Sequence, residues 1–192
     1  ETTHNPSGIL VSDFDGTMTQ FDFFDLARRD LKSAADHDHW QDYVNGQCTH
    51  FEALARIFGS IRATREEAAK VVEEMRIAPG LAGAVARLQN AGWEIVIASA
   101  GSDWYIQQLL QQAGVRLTVH ANPGVFSPEK GLTLAPPTWS PFYSRETGID
   151  KPAIVRDALK RAPKTAFAGD ERPDLEPALL VPPERRFARG WL

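Results

Sequence analysis

Ile9-Leu10-Val11-Ser12-Asp13-Phe14-Asp15-Gly16-Thr17 is the stretch whose reading decides the fold. A short apolar run passes directly into two carboxylates two residues apart, and Gly16 follows them. An apolar run of this length suits a strand buried on both faces. Residues i and i+2 of a strand share a side, and the chain just past a strand tip can turn a second carboxylate and its carbonyl toward one cation. Gly16 lets the backbone turn sharply and come close to a ligand. Taken alone, the stretch also reads as an ordinary Asp-Gly turn after a strand.

Two further apolar runs end in the same manner. Ile95-Val96-Ile97-Ala98 leads into Ser99-Ala100-Gly101, and Thr165-Ala166-Phe167-Ala168 leads into Gly169-Asp170-Glu171-Arg172-Pro173-Asp174. Leu81, Val85 and Leu88 are spaced along one helix face before the second run, and Ile106, Leu109 and Leu110 mark a helix after it. Strands alternating with helices predict an α/β fold with a Rossmann-like parallel sheet. In such sheets, ligands bind beyond the carboxyl ends of the strands. A fourth element, Asp150-Lys151-Pro152, opens a helix over 152–161, with Asp150 as N-cap and Lys151 at the positive end of the dipole.

Residues 20–78 break the alternation. Helical patterns over 22–35, 38–45, 50–58 and 64–76 follow one another without a convincing strand, and Thr64 and Glu67 are spaced as a capping box. The predicted organisation is therefore a catalytic core of residues 1–19 and 79–192 with an inserted all-helical cap over 20–78. Between Val115 and Asp150 the expectation is a hairpin, Val125-Phe126 against Leu132-Thr133-Leu134, followed by an irregular loop. Phe187-Ala188 is expected to be a last, short edge strand.

Composition narrows the function classes. The chain has 192 residues, 43% of them hydrophobic and 24% charged, as in a globular protein. No apolar run approaches the roughly 18 residues of a membrane span, so no membrane partner is expected. A net charge of -4 leaves no basic footprint for nucleic acid. Cys48 is the single cysteine, which excludes an internal disulfide and a cysteine-based zinc cage. With no signal-peptide pattern in residues 1–8, a cytoplasmic setting is the expectation. A monomer and a homodimer are equally compatible with the sequence.

The polar groups at the strand tips divide into chemical roles. Asp13 and Asp170, with the main-chain carbonyl of Asp15, offer hard oxygen ligands of the kind Mg²⁺ takes while keeping several waters. A cation there and Lys151 would offset the repulsion between an attacking Asp13 carboxylate and a phosphate dianion. Ser99 and the turn N–H groups of Ala100 and Gly101 would hold the remaining phosphate oxygens. Asp13 is then the candidate nucleophile and the Asp15 side chain the candidate general acid and base. Asp174 would orient Lys151 or a metal-bound water.

These four motifs, Asp13 to Thr17, Ser99, Lys151, and Gly169-Asp170 with Asp174, resemble in order those of the haloacid dehalogenase superfamily, over nearly the whole chain. The resemblance is to its phosphatases with a helical cap inserted after the first motif. It implies a Rossmann-like core, Mg²⁺ as cofactor, an aspartyl-phosphate route, a small phosphorylated metabolite as substrate and a place for Thr17 at the substrate. Softer features resemble the phosphoserine phosphatase-like branch and, within it, the methionine-salvage phosphatases that act on an enol phosphate. These are the Asp13-to-Asp22 spacing, Ala121-Asn122, Gly148-Ile149-Asp150-Lys151, Gly169-Asp170 through Asp174-Leu175-Glu176, and Phe187-Ala188-Arg189. Glu171-Arg172-Pro173, Met18 and Gln20-Phe21 depart from the pattern and bear on the substrate. An inactive phosphate-binding regulatory protein is the alternative of another class, although such a protein has no use for a general acid. Phosphomutase or dehalogenase chemistry is a second enzyme alternative; the dehalogenase needs no cation and leaves the acidic cluster after the third strand without a purpose.

Several residues carry two readings. Asp22 is either the acidic contact for a substrate amine, as the phosphoserine-type resemblance implies, or the N-cap of the following helix. Phe21, Phe23, Phe24 and Phe51 are either an apolar lid or cap core. Trp104-Tyr105 either walls the pocket or packs on the core. Asp36-His37-Asp38-His39, with His50, is read as a polar interhelix turn and not as a second metal site, because histidines two residues apart point different ways on a helix.

Overall fold

The structure is a computed structural model and describes residues 5–192. In chain order its elements are β1 (Gly8–Ser12), α1 (Phe23–Asp30), β2 (Lys32–Ser33), α2 (His39–Val44), α3 (His50–Gly59), β3 (Ile61–Arg62), α4 (Arg65–Glu74), α5 (Leu81–Asn90), β4 (Trp93–Ser102) and α6 (Asp103–Gln112). There follow β5 (Thr118–Asn122), β6 (Gly124–Ser127), β7 (Gly131–Leu134), β8 (Tyr143–Ser144), β9 (Gly148–Ile149), α7 (Lys151–Arg161), β10 (Thr165–Gly169), α8 (Leu175–Leu179) and β11 (Arg186–Ala188).

Five strands form a parallel sheet in the order β11-β10-β1-β4-β5. Alternate residues of its strands supply two cores, as the pleat requires. Leu10, Ile95 and Ile97 join Ile106, Leu109 and Leu110 of α6 on one face. Ile9, Val11, Val96, Ala98 and Phe167 join Ile154, Val155 and Ala158 of α7 on the other. Burial on both faces explains why these strands read as continuous apolar runs.

Chain order runs outward from β1 through β4 to β5, then returns to the opposite side of β1 for β10 and β11. The reversal falls between β1 and β10, the position at which an open α/β sheet splits to admit a ligand. Ser12 pairs with Ala168 on one side and Ile97 on the other. Parallel register therefore carries Asp13, Ser99 and Asp170 past the same edge of the sheet.

Between β1 and α5 the chain leaves this edge and comes back to it. Thr19 bridges Ile77 antiparallel, and the Ala78 N–H donates to Met18 O at 2.8 Å. Departing and returning segments thus lie side by side. Within the excursion α1 stops at Asp30, shorter than the helix expected over 22–35, because Lys32–Ser33 pairs with Ile61–Arg62 in a two-residue ladder. The expected capping box of Thr64 and Glu67 is present on α4, and Thr49 with Glu52 forms another on α3. The hairpin of β6 and β7 matches its expected residues. β5 is a strand the sequence did not predict, just before that hairpin, and β8 with β9 adds a short ladder before α7, within the stretch expected to be an irregular loop. No helix among the described residues is long and apolar enough to cross a membrane.

Candidate active site

Asp13 sits just past β1, where its N–H continues the ladder by donating to Ala168 O at 2.9 Å. The residue is 6% exposed. Its Oδ1 accepts from Lys151 Nζ at 2.7 Å, and the same ammonium donates to Asp174 Oδ1 at 2.7 Å. Lys151 reaches this point because α7 starts at the sheet edge, with Asp150 capping it by accepting from the Ala153 N–H at 3.0 Å. Asp174 Oδ2 accepts from the N–H groups of Asp170 and Glu171 at 3.1 and 3.2 Å, fixing the turn after β10. Both oxygens of Asp174 are therefore engaged. Although its carboxylate lies close to those of Asp13 and Asp170, it serves as a brace for Lys151 and the turn, not as a free ligand.

Asp13 and Asp170 face one another across Thr17. The Thr17 hydroxyl lies 3.2 Å from Asp13 Oδ2 and 3.2 Å from Asp170 Oδ1, and its one hydrogen serves only one of them at a time. Among the described residues, no lysine or arginine pairs with Asp170, since Lys151 is spent on Asp13 and Asp174. Burial pushes Asp170 up to about 8, with the neighbouring Asp13 adding to the shift. Burial likewise raises Asp13, against the pull of Lys151. Lys151 also bears a desolvation cost, but the two carboxylates hold its pKa above the ordinary lysine value. Two hard carboxylates held together with one ammonium between too many negative charges fit a divalent cation of the Mg²⁺ type.

Gly16 makes the approach possible. Its φ is +75°, and a Cβ there would meet Asp170 Oδ2. Phe14 O accepts from the N–H groups of Thr17, Met18 and Thr19, while the Asp15 carbonyl accepts no main-chain hydrogen bond among the described residues.

The Asp15 side chain turns away from Asp170. Its Oδ2 accepts from the Phe23 N–H at 3.0 Å and its Oδ1 from the Tyr105 hydroxyl at 3.0 Å. Burial raises its pKa well above the ordinary carboxylate value, with Asp22 and Asp13 adding to the effect. Tyr105 is itself buried and stacks on Phe23, with ring centroids 4.6 Å apart. The sequence leaves Tyr105 between wall and core. It fills the core and also donates to the Asp15 carboxyl, and nothing in its spacing marks the second role.

Ser99 is 2% exposed in the last third of β4, and its Oγ accepts from the Gly101 N–H at 2.9 Å. The Ser99 hydroxyl keeps its own hydrogen for an incoming oxygen. The amide of Gly101, expected to meet the substrate directly, is directed at Ser99. A side chain at 101 would collide with the Tyr105 hydroxyl.

Asp22 caps α1, accepting from the Asp25 N–H at 3.3 Å, and burial followed by the charge of Asp25 raises it to about 6. Of the four phenylalanines, Phe23 is core, Phe24 packs on Trp40 with ring centroids 5.0 Å apart, Phe51 is half-buried, and Phe21 is 42% exposed. His50, which the sequence groups with the polar turn, stands at the start of α3. Its pKa falls to about 4 through burial, with Lys151 adding to the effect, and its Nδ1 is buried without a partner. The α3 N-terminus is pinned to the loop before β9, where the Phe51 N–H donates to Glu146 O at 2.8 Å.

A parallel sheet that presents two carboxylates, a buried lysine and a serine at its switch point defines a hydrolase-type site for an anionic group. The chain belongs to the haloacid dehalogenase-like hydrolase family, which matches residues 10–176. It is 23% identical over 186 residues to a 2-hydroxy-3-keto-5-methylthiopentenyl-1-phosphate phosphatase of Bacillus pumilus, covering 96% of this chain and 80% of that protein. In fold it is similar to a haloacid dehalogenase family hydrolase from Salmonella enterica serovar Typhi, with a TM-score of 0.67 and 20% identity. That match covers 92% of this chain and 61% of the other. It is also similar to a phospho-aspartyl intermediate analogue of phosphoserine phosphatase, with a TM-score of 0.59 and 16% identity, covering 88% of this chain and 80% of that one. The chain is a phosphatase of this hydrolase family.

Proposed function

We propose that the chain is a Mg²⁺-dependent phosphatase of a small phosphorylated metabolite, with a methionine-salvage enol phosphate as the substrate to test first, and that it works through an aspartyl phosphate on Asp13. The observation that carries this reading is the placement of Asp13 between Lys151 at 2.7 Å and the otherwise unpaired Asp170. The substrate class rests on the Bacillus pumilus relative.

Asp13 and Asp170, with the Asp15 carbonyl, would hold the cation. When bound, it supplies positive charge against a phosphate oxygen. Lys151 screens the approach of the Asp13 carboxylate to phosphorus, and Asp174 keeps that ammonium in place. The Ser99 and Thr17 hydroxyls and the Ala100 amide are the donors for the equatorial oxygens. As the bond between phosphorus and Asp13 forms and the ester bond breaks, Asp15 gives its proton to the departing oxygen. Burial raises its pKa, which favours the protonated form this step requires. In the second half, Asp15 takes a proton from the water that opens the acyl phosphate, releasing inorganic phosphate and restoring Asp13.

Residues 20–78 act in this scheme as a cap on a core of 1–19 and 79–192. The paired segments at Thr19 and Ile77 form its stem. The Phe23 N–H, donated from the first residue of the cap's first helix, ties cap position to the general acid. Such a cap excludes water from the reacting phosphate and supplies selectivity.

The test is a panel of phosphorylated metabolites assayed for phosphate release with and without Mg²⁺, including methionine-salvage intermediates, phosphoserine and a generic aryl phosphate. Fastest turnover of the methylthio enol phosphate, dependent on Mg²⁺, is expected. No turnover of any phosphate ester would overturn the reading. Preference for phosphoserine would move the substrate to the second reading, in which the half-buried Asp22 meets an amine.

A further inference from the structure

The turn between β2 and α2 gathers three ligand-type side chains. His37 Nε2 lies 2.8 Å from both Asp42 Oδ1 and Asp42 Oδ2, and His39 Nδ1 lies 3.7 Å from Asp42 Oδ2. The three donor atoms are all within 4.8 Å of one another. Two histidines two residues apart diverge when both are helical, but only one of this pair is. Asp38 is the N-cap of α2, His39 is its first residue, and His37 lies before the cap. Asp42 follows His39 by three residues and shares its helix face, while His37 folds back onto the same carboxylate.

A second observation is independent of this convergence. His39 Nδ1 is cut off from solvent and has no hydrogen-bond partner, although its side chain is 23% exposed overall. A ring nitrogen shut away from water with nothing to bind is costly, and such orphans often mark an absent ion or water. A cavity of about 420 Å³, lined by His37 and His39 with Arg28, Ser33 and Ser60, opens beside it. Moreover, α2 has six residues and none of them is fully buried, so packing alone holds this segment weakly.

We propose that His37, His39 and Asp42 form a second cation site, one for a transition metal of the zinc class and separate from the oxygen-only site at the sheet edge. Two imidazoles and a carboxylate suit Zn²⁺, Co²⁺ or Ni²⁺, whereas Mg²⁺ takes oxygen ligands. Ligands about 2.0–2.1 Å from a tetrahedral zinc stand about 3.3 Å from each other. The spacings at this turn, from 2.8 Å to at most 4.8 Å, need only small side-chain adjustments to match. The ion takes the place of the proton that joins His37 to Asp42 and gives His39 Nδ1 its missing partner, with water completing the shell. Bound there, it clamps the start of α2 to the preceding turn.

The test uses the metal-free full chain in saturating Mg²⁺, titrated with Co²⁺ under visible absorption and with Zn²⁺ in thermal unfolding. One equivalent of Co²⁺ with a visible ligand-field band and a rise in Tm with Zn²⁺ are expected. His39→Ala, Asp42→Asn and His37→Ala should each weaken Co²⁺ binding at least about tenfold, leaving the Mg²⁺-dependent phosphatase rate unchanged. Asp170→Asn should leave the Co²⁺ band intact. The proposal is overturned if excess Mg²⁺ abolishes Co²⁺ binding, if the three turn variants bind as the parent does, or if Asp170→Asn is the variant that loses the band.

Discussion

Among the described residues, the two places where three metal-type side chains converge are built in opposite ways. Asp13, Asp170 and Asp174 meet at the split of the sheet, where Asp13 and Asp174 are nearly solvent-free and Lys151 is locked between them. His37, His39 and Asp42 meet on a surface turn with no lysine or arginine bonded to them among the described residues. The buried set is all oxygen and carries excess negative charge, so it favours a hard dication and an anion beside it. The open set is two imidazoles and one carboxylate and favours a softer ion. Residue type and dielectric together, more than the convergence itself, decide what each cluster holds.

The largest difference between the two should show in turnover. Asp13→Asn is expected to cut Mg²⁺-dependent hydrolysis of an aryl phosphate by at least about 10⁴-fold with the circular dichroism unchanged, while His37→Ala leaves the rate as it was. Steady-state kinetics on the two variants decides this. Next in size is the stability carried by the buried lysine. Lys151→Ala leaves Asp13 and Asp174 without their counter-ion and should cost about 3–5 kcal/mol in denaturant unfolding as well as most of the activity. Loss of activity with unchanged stability would mean that the carboxylates find solvent or protons easily.

Proton linkage sharpens the contrast further. Asp170 and Asp22 are raised to about 8 and about 6. A carboxyl raised on folding stabilises the chain below its unfolded pKa, and that contribution is lost as pH rises through the folded value. Metal-free protein should therefore lose stability between about pH 4 and pH 8, and added Mg²⁺ should restore it at the upper end. Asp22→Asn keeps an N-cap and removes the charge, so it should flatten the part between about pH 4 and 6 by about 1–2 kcal/mol. The smallest effect runs the other way. His50 is lowered to about 4, so its contribution is full above its unfolded pKa of about 6.5 and fades as pH falls. His50→Gln should soften acid unfolding by about 1 kcal/mol or more, read from urea midpoints across that range.

The sheet edge is legible in the sequence because its residues sit at strand tips, where a period of two and a parallel register leave little freedom. Asp13, Ser99 and Asp170 stand out as the polar groups that end each apolar run, and Lys151 as the cation at a helix start. β5 escapes because Thr118-Val119-His120-Ala121-Asn122 carries a histidine among weakly apolar neighbours and owes its strand to pairing with β4. The β2–β3 ladder escapes because two residues hold no periodicity; its partners meet through tertiary contact. Tyr105 gains its role from a contact with Asp15, far away in sequence, whereas Gly101 gains its role locally, from the turn back to Ser99 and the nearby Tyr105 hydroxyl. The histidine turn is hidden for a local reason: a helical projection separates His37 from His39, yet His37 precedes the N-cap and does not obey it.

Acid quench during turnover of a phosphate-labelled substrate, followed by peptide mapping, tests the phosphatase mechanism most directly. Label on the peptide containing Asp13, absent from the Asp13→Asn variant, is the expected result. Steady turnover with no protein-bound phosphate, or with the label on another residue, would contradict it.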